Sequence, residues 1–160
     1  MVKTILVPTD FSIDSLSMVK DALERNSGTP LKIIFAVGVY LPDGIVETLF
    51  FSRHKVVEEM VTKEFSEACA IIRNRYASGI REVHIEAFSG FTQAAFTNFL
   101  EANGIDEMYY PSSPLQTQGS TFDLRPFIRK ARLPQFEVSG KLESSSVTKN
   151  SIAQLFTNWN

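Results

Sequence analysis

The sequence predicts an α/β fold, a parallel sheet with helices packed on both faces. Three observations carry this. Short apolar runs alternate with stretches of helical periodicity in the order βαβαβαβαβ, and the connections are short. The run "LKIIFAVGVY" is too continuously apolar for a sheet with one wet face and fits a parallel strand covered on both sides. The chain of 160 residues, 44% hydrophobic, is long enough to bury a single good core.

Each element has a local signal. "KTILVP" reads as a buried strand ending at Pro8. Ser12 is placed to cap the next helix, with Asp14 in its positive first turn and Phe11 and Leu16 spaced for a hydrophobic staple. Leu16, Val19 and Leu23 share a face, and Asn26, Gly28 and Pro30 punctuate the end. After the second strand, "LPDGIVETLFFSRH" reads as a loop. It leads to one long helix with Val57, Met60, Val61, Phe65, Ala68 and Ile72 at helical spacing. "EVHIEAF" alternates as the third strand. "TQAAFTNFLEANG" gives a helix with Ala95, Phe96, Phe99 and Leu100 inward and Gly104 as its stop. "EMYY" is the fourth strand. "DLRPFIRKA" is a short helix starting near Asp123, because Pro126 is tolerated only in a first turn. It presents Leu124, Phe127, Ile128 and Ala131 on one face, and "QFEVS" is the fifth strand. Residues 1–139 form the domain. Residues 140–160 are a Ser-rich linker and an apolar tail in which Ile152, Leu155, Phe156 and Trp159 share one helical face. That face is expected to dock on the domain or on a second subunit.

Composition removes several classes of function. A formal net charge of -2 is not that of a general nucleic-acid binder. The single cysteine, Cys69, allows neither an intramolecular disulfide nor a multi-cysteine metal cluster, which suits a reducing compartment. No stretch has membrane-spanning length, so a cytoplasmic protein with no membrane partner is expected. No Walker loop, dinucleotide fingerprint or zinc motif is present, and no metal site is expected. Cys69 reads as a buried inert thiol, His84 as a structural strand residue and His54 as a solvated loop residue. Arg125, Arg129, Lys130 and Arg132 read as cations on a solvated helix face, with anion binding as the alternative. Leu49, Phe50 and Phe51 are too apolar for an ordinary loop; they either fold back on the core or form a partner surface.

In such a sheet, ligands bind beyond the carboxyl ends of the strands where the strand order reverses. That directs attention to "PTDFS" and to "PSSPLQTQGST". "KTILVPTDFSIDSL" and "SGFTQAAFTNFLEANGIDEMYY" resemble the universal stress protein family over roughly residues 3–138. The resemblance implies a Rossmann-like, three-layer sandwich of the adenine nucleotide alpha hydrolase type, with five parallel strands in the order 3-2-1-4-5. It also implies a homodimer in which the fifth strand pairs with its copy. In nucleotide-binding members, an Asp after strand one contacts the nucleoside; Pro8-Thr9-Asp10 matches, and Val37 is the equivalent of a residue beside the base. Their phosphates are held by Gly-x-x-Gly, nine residues, then Gly-Ser or Gly-Thr. Here Pro111-Ser112-Ser113-Pro114 takes the glycine-bearing place, and only Leu115–Gln118 separate it from Gly119-Ser120. Proline lacks an N–H and fixes φ, so the loop has lost donors that a phosphate needs.

The candidate pocket is therefore Thr9, Asp10, Val37, Ser112, Ser113, Gly119, Ser120 and Thr121. Asp10 either binds a ribose-like polyol or satisfies donors in its own turn. Gly119, Ser120 and Thr121 either cap the fourth helix or hold a small anion. The expected function is a non-enzymatic, universal-stress-protein-like module acting through protein contacts, with no ATP bound in the family's usual way. The alternatives are a nucleotide-binding regulator using Asp10 and a rearranged loop, or a small-molecule enzyme on the same fold.

Overall fold

Strand β1 (Lys3–Pro8) lies at the centre of the sheet, with β2 (Leu31–Val39) on one side and β4 (Glu107–Pro111) on the other. A computed structural model describes residues 1–139; the connector and apolar tail of 140–160, and with them the expected docking of Trp159, lie outside the described residues. Outward from β2 comes β3 (Ile80–Phe88), and outward from β4 comes β6 (Gln135–Val138). These five strands are parallel, in the order β3-β2-β1-β4-β6, which is the predicted 3-2-1-4-5. The sheet has one more strand than expected. Thr121 and Phe122 form β5, antiparallel to the end of β2 through the pairs Gly38 with Phe122 and Val39 with Thr121.

Alternation along the strands divides the core between the two faces. Ile5, Val7, Ile33, Phe35 and Val37 point to the side of α1 (Ser17–Arg25), α3 (Arg53–Met60) and α4 (Lys63–Arg75), where they meet Met18, Val19, Val57, Phe65 and Ala68. Leu6, Ile34 and Ala36 point to the side of α5 (Gln93–Ala102) and α6 (Arg125–Lys130), where they meet Phe96, Leu100, Leu124 and Ile128. A Leu or Phe moved from water into either cluster contributes about 1.5–3 kcal/mol.

Three local expectations need correction. The loop after β2 contains a short helix, α2 (Ile45–Leu49). The single long helix is two helices, because Val61 is extended (ψ 116) and the Thr62 side chain accepts from the Phe65 N–H, starting α4 anew. His54 consequently sits on α3, where Nε2 lies 2.9 Å from Glu58 one turn away. Before α1, Ile13–Leu16 form a 3-10 turn; Ser12 occupies its cap position without using its hydroxyl there.

At the amino-terminal end of the sheet, a polar network ties β1, α1 and β4 together. Lys3 Nζ donates to Asn26 Oδ1 and Glu107 Oε1, both at 2.8 Å. The Tyr109 hydroxyl donates to Glu107 Oε2 at 2.9 Å and accepts from Asn26 Nδ2 at 3.1 Å. Burial alone would raise the Glu107 carboxyl, but the bonds from Lys3, Tyr109 and Asn26 outweigh it and hold the group below the ordinary range. Burial and then the Glu107 carboxylate push the Tyr109 hydroxyl well up.

A group with a depressed folded-state pKa stabilises the protein above its unfolded value, and that contribution disappears as pH falls through the folded value. Glu107→Gln is therefore expected to lower stability at neutral pH. The difference from wild type should shrink as pH drops below about 4.3, the unfolded value for glutamate. Urea unfolding at several pH values measures this, and a pH-independent difference would contradict it.

Candidate functional site

The strand order reverses between β1 and β4, so the carboxyl ends of these strands define the place where a doubly wound sheet would take a ligand. Thr9 and Asp10 follow β1 directly. Thr9 is buried; its N–H donates to the Ala36 carbonyl at 2.9 Å and its Oγ1 accepts from the Phe11 N–H at 2.9 Å. Ser15 Oγ donates to the Ser12 carbonyl at 2.7 Å and lies 3.0 Å from Thr9 Oγ1, which leaves Thr9 to donate to it. Phe11 has φ 62, a left-handed conformation that costs a bulky residue about 1–3 kcal/mol. Its ring offsets that cost by packing edge-on against Phe65, with centroids 5.5 Å apart. The turn is locked by its own side chains.

Asp10 is occupied by the protein itself. Oδ1 accepts from the Ser12 N–H and Oδ2 from the Gln116 N–H, each at 3.0 Å. Of the two readings of Asp10, the structure shows satisfaction of backbone donors. The bond to Gln116 clamps the loop after β4 onto the loop after β1, across 106 positions of sequence. Asp14 stands nearby, its carboxyl raised by burial and then by the Asp10 charge. Two acids at this mouth give a field that opposes a phosphate group.

Four N–H donors of the loop after β4 are bonded within the protein. Pro111 and Pro114 have none. Ser112 N–H donates to the Val138 carbonyl at 3.1 Å, and Gln118 N–H to Thr121 Oγ1 at 2.8 Å. Thr121 N–H donates to the Gln118 carbonyl at 3.2 Å, and Gln116 N–H goes to Asp10. Ser113 is exposed, and Gly119 retains the positive φ (58°) of the turn.

Gly119, Ser120 and Thr121 do not cap α6, which corrects that reading of them. They lead into β5: the Ser120 carbonyl accepts from the Tyr40 N–H at 2.6 Å, and Thr121 pairs with Val39. Leu124 is the cap residue, and Asp123 just before it accepts at Oδ1 from the Arg125 N–H at 2.9 Å. Phe122 then covers the end of β2. A Cβ placed on Gly38 would lie 2.6 Å from the Phe122 carbonyl oxygen and 2.7 Å from its ring, so only glycine admits this approach. The ring joins Tyr40, Phe88 and Phe127 in one aromatic group, with centroids 4.8–6.2 Å from Phe122. Val37 is 3% exposed and packs within the core.

Arg125 corrects the reading of a solvated basic face. Its side chain is buried, with Nε and Nη2 each 2.9 Å from Asp123 Oδ2 and Nη1 donating to the Ser112 carbonyl at 3.1 Å. It pins the loop from behind. Arg129 stays exposed and lies 5.7 Å from the Tyr110 ring centroid. Sequence reasoning misread Arg125 and overlooked Gln116 and Phe122. The Asp123-x-Arg125 spacing was the available signal for the first, and an aromatic residue after Gly-Ser-Thr for the last.

The remaining candidates are settled by their surroundings. Burial pushes the Cys69 thiol up to about 12, so it carries no thiolate near neutrality. His84 Nε2 lies 2.9 Å from Glu82 on an exposed strand face. Phe51 is half-buried against the core, whereas Leu49 and Phe50 remain exposed. Among the described residues, Ser89 Oγ is the buried side-chain polar atom without a partner. No group of three or more metal-ligating side chains occurs among the described residues, and no described helix is long and apolar enough to cross a membrane. Clefts of about 480, 480 and 610 Å3 lie around Asn26 and Tyr76, around His54 and Glu86, and between α5 and α6. These three are away from Asp10.

No family model matches the chain, and no curated protein does. Solved structures do match. A member of the universal stress protein family from Burkholderia pseudomallei is 15% identical, with 86% of this chain and 96% of that chain covered at a TM-score of 0.52. A universal stress protein solved in complex with cAMP is 18% identical, covering 86% and 97% at a TM-score of 0.50. A hypothetical protein whose biochemical function was assigned from its structure is 17% identical, covering 88% and 97% at the same TM-score. The chain has the α/β fold of these proteins.

The Asp10 clamp and the Gly38 approach make one prediction. Asp10→Ala should lower stability by about 0.5–1.5 kcal/mol, because it removes the acceptor shared by the Ser12 and Gln116 N–H groups. Limited proteolysis should then cut within residues 111–120 faster than in wild type. Gly38→Ala should produce the same cleavage by forcing Phe122 away. Unchanged cleavage in both variants would show that neither contact holds the loop.

Proposed function

We propose that this chain is a universal-stress-protein-like binding and regulatory module, not an enzyme, that works through protein contacts and does not hold ATP in the way of that family's nucleotide-binding members. The observation that carries this is the closed switch point. Asp10 is bonded to Ser12 and Gln116, and Phe122 rests on Gly38 at the end of β2. A triphosphate needs converging backbone donors, and those of Ser112, Gln116, Gln118 and Thr121 are already bonded within the protein. The supporting likeness is one of fold, and the surfaces left for action are those outside the crevice.

The competing reading is a nucleotide regulator in which the loop opens. The neighbour solved with cAMP makes a cyclic mononucleotide the appropriate second probe. Thermal unfolding with millimolar ATP or cAMP should leave the melting temperature unmoved. A ligand at one hundred times its dissociation constant would add about 2.7 kcal/mol, an easily measured shift. A saturable upward shift that Asp10→Ala abolishes would replace this proposal with the nucleotide reading.

Assembly is the second part of the proposal. β6 is an outer strand bonded only to β4 within the sheet path, and a symmetric copy can satisfy its free edge. The carbonyls of Pro134 and Val138 accept from Met108 and Ser112, so alternation turns Gln135 and Glu137 outward. A homodimer is expected in sedimentation equilibrium at micromolar concentration, and Glu137→Pro, which removes an outward N–H, should weaken it. A monomer would overturn the dimer; a dimer indifferent to Glu137→Pro would move its seam elsewhere.

A further inference from the structure

Helix α2 leaves its apolar side in water. Ile45, Val46, Leu49 and Phe50 are 82%, 64%, 75% and 82% exposed, and no residue of this helix is buried. Their spacing places all four on one side of the helix. Tyr40 and Leu41, 50% and 38% exposed, precede them in the chain and extend the apolar character of this region. Apolar residues concentrated in this way mark a surface made to be covered.

A matching segment lies in the same chain. Residues 152–159 read "IAQLFTNW", and Ile152, Leu155, Phe156 and Trp159 fall at i, i+3, i+4 and i+7, the spacing of a single apolar helical face. Topology starts both connections from one end of the sheet. β1, β2, β4 and β6 are parallel, so the chain leaves β6 at the end of the sheet where α2 follows β2. Three strand spacings separate β6 from β2, which is ~14 Å. Residues 140–151 extended would span ~40 Å, more than twice that distance. A tether of this length holds its far end at roughly millimolar local concentration, above the micromolar concentration of a second copy. Charge also favours the encounter. The charged residues among 40–50 are Asp43 and Glu47, and the one among 148–159 is Lys149.

We propose that residues 152–159 cover α2 of their own chain, with Ile152, Leu155, Phe156 and Trp159 against Ile45, Val46, Leu49 and Phe50. The segment acts as an internal cover for a surface that would otherwise attract other proteins. This stands independently of whether the crevice takes a nucleotide.

Trp159 is the only tryptophan, so its fluorescence in the full chain reports this contact alone. The expected result is blue-shifted emission, weak quenching by acrylamide and no change on dilution. Leu49→Asp with Phe50→Asp should move the emission to that of solvent-exposed tryptophan and raise quenching several-fold. These positions are exposed, so the domain keeps its fold, which far-UV circular dichroism verifies. Ile152→Asp with Leu155→Asp should do the same from the other side. Exposed emission in the unaltered protein overturns the proposal. So does blue-shifted emission that survives the α2 substitutions, which would place the segment elsewhere. Protection lost on dilution also overturns it, because the cover would then belong to a second copy.

Discussion

The approach of Phe122 to Gly38 is the constraint on which the rest of the crevice depends. A doubly wound sheet opens a cleft where its strand order reverses, because the connections on either side depart in opposite directions. Here the chain fills the neighbourhood of that cleft with its own backbone. β5 adds two residues antiparallel to the end of β2, and the Tyr40 N–H is satisfied by Ser120. Removing the Phe122 ring from its group with Tyr40, Phe88 and Phe127 would expose an aromatic surface worth about 1.5–3 kcal/mol. Each 1.4 kcal/mol a ligand must supply to open the site weakens it about tenfold. Any occupant whose binding required β5 to move would lose affinity in that proportion, whatever its chemistry.

Asp10 completes the closure by working on both loops at once. An aspartate after the first strand is suited to a sugar hydroxyl because it accepts two bonds in a fixed plane. The same property lets it join the Ser12 and Gln116 amides. Arg125 holds the other side of the loop through Asp123 and the Ser112 carbonyl, with its guanidinium buried and paired. A buried cation left alone would be costly; bonded on both sides, it converts burial into positional order. The loop is held at Ser112, Gln116 and Thr121.

Much of the fold was legible, because strand apolarity and helix periodicity are local signals. All five parallel strands and their order follow from them and from the resemblance. The break at Val61–Thr62 was not legible, since Phe65, Ala68 and Ile72 continue the apolar spacing of Val57 across it; the decisive event is the Thr62 cap. β5 was hidden because two residues are too short to show an alternation, and its partner lies about eighty positions earlier. The Lys3–Glu107 contact, 104 positions apart, leaves no trace in local composition. At the site, Asp10 was recognisable as a candidate, but the atom it binds belongs to Gln116, a residue with no distinguishing chemistry. Arg125 was misread for the same reason: a charge in a basic run looks solvated until its partner is known.

The two edges of the sheet are not equivalent, and the difference bears on where this molecule makes contact. β3 exposes Arg81, Glu82, His84 and Glu86 along its length, with Glu82 bonded to His84 and its carboxyl held down by that bond and by Lys32. A row of charges on a long edge discourages a second strand from adding there. β6 carries one charged residue, Glu137, between Phe136 and Val138. Phe136 turns inward, stacked on Tyr109 at 5.0 Å and covered by the Arg25 guanidinium at 4.6 Å. What β6 offers outward is backbone. A strand added at this edge would therefore meet the outward amides of Gln135 and Glu137, whereas at β3 it would meet a row of charge.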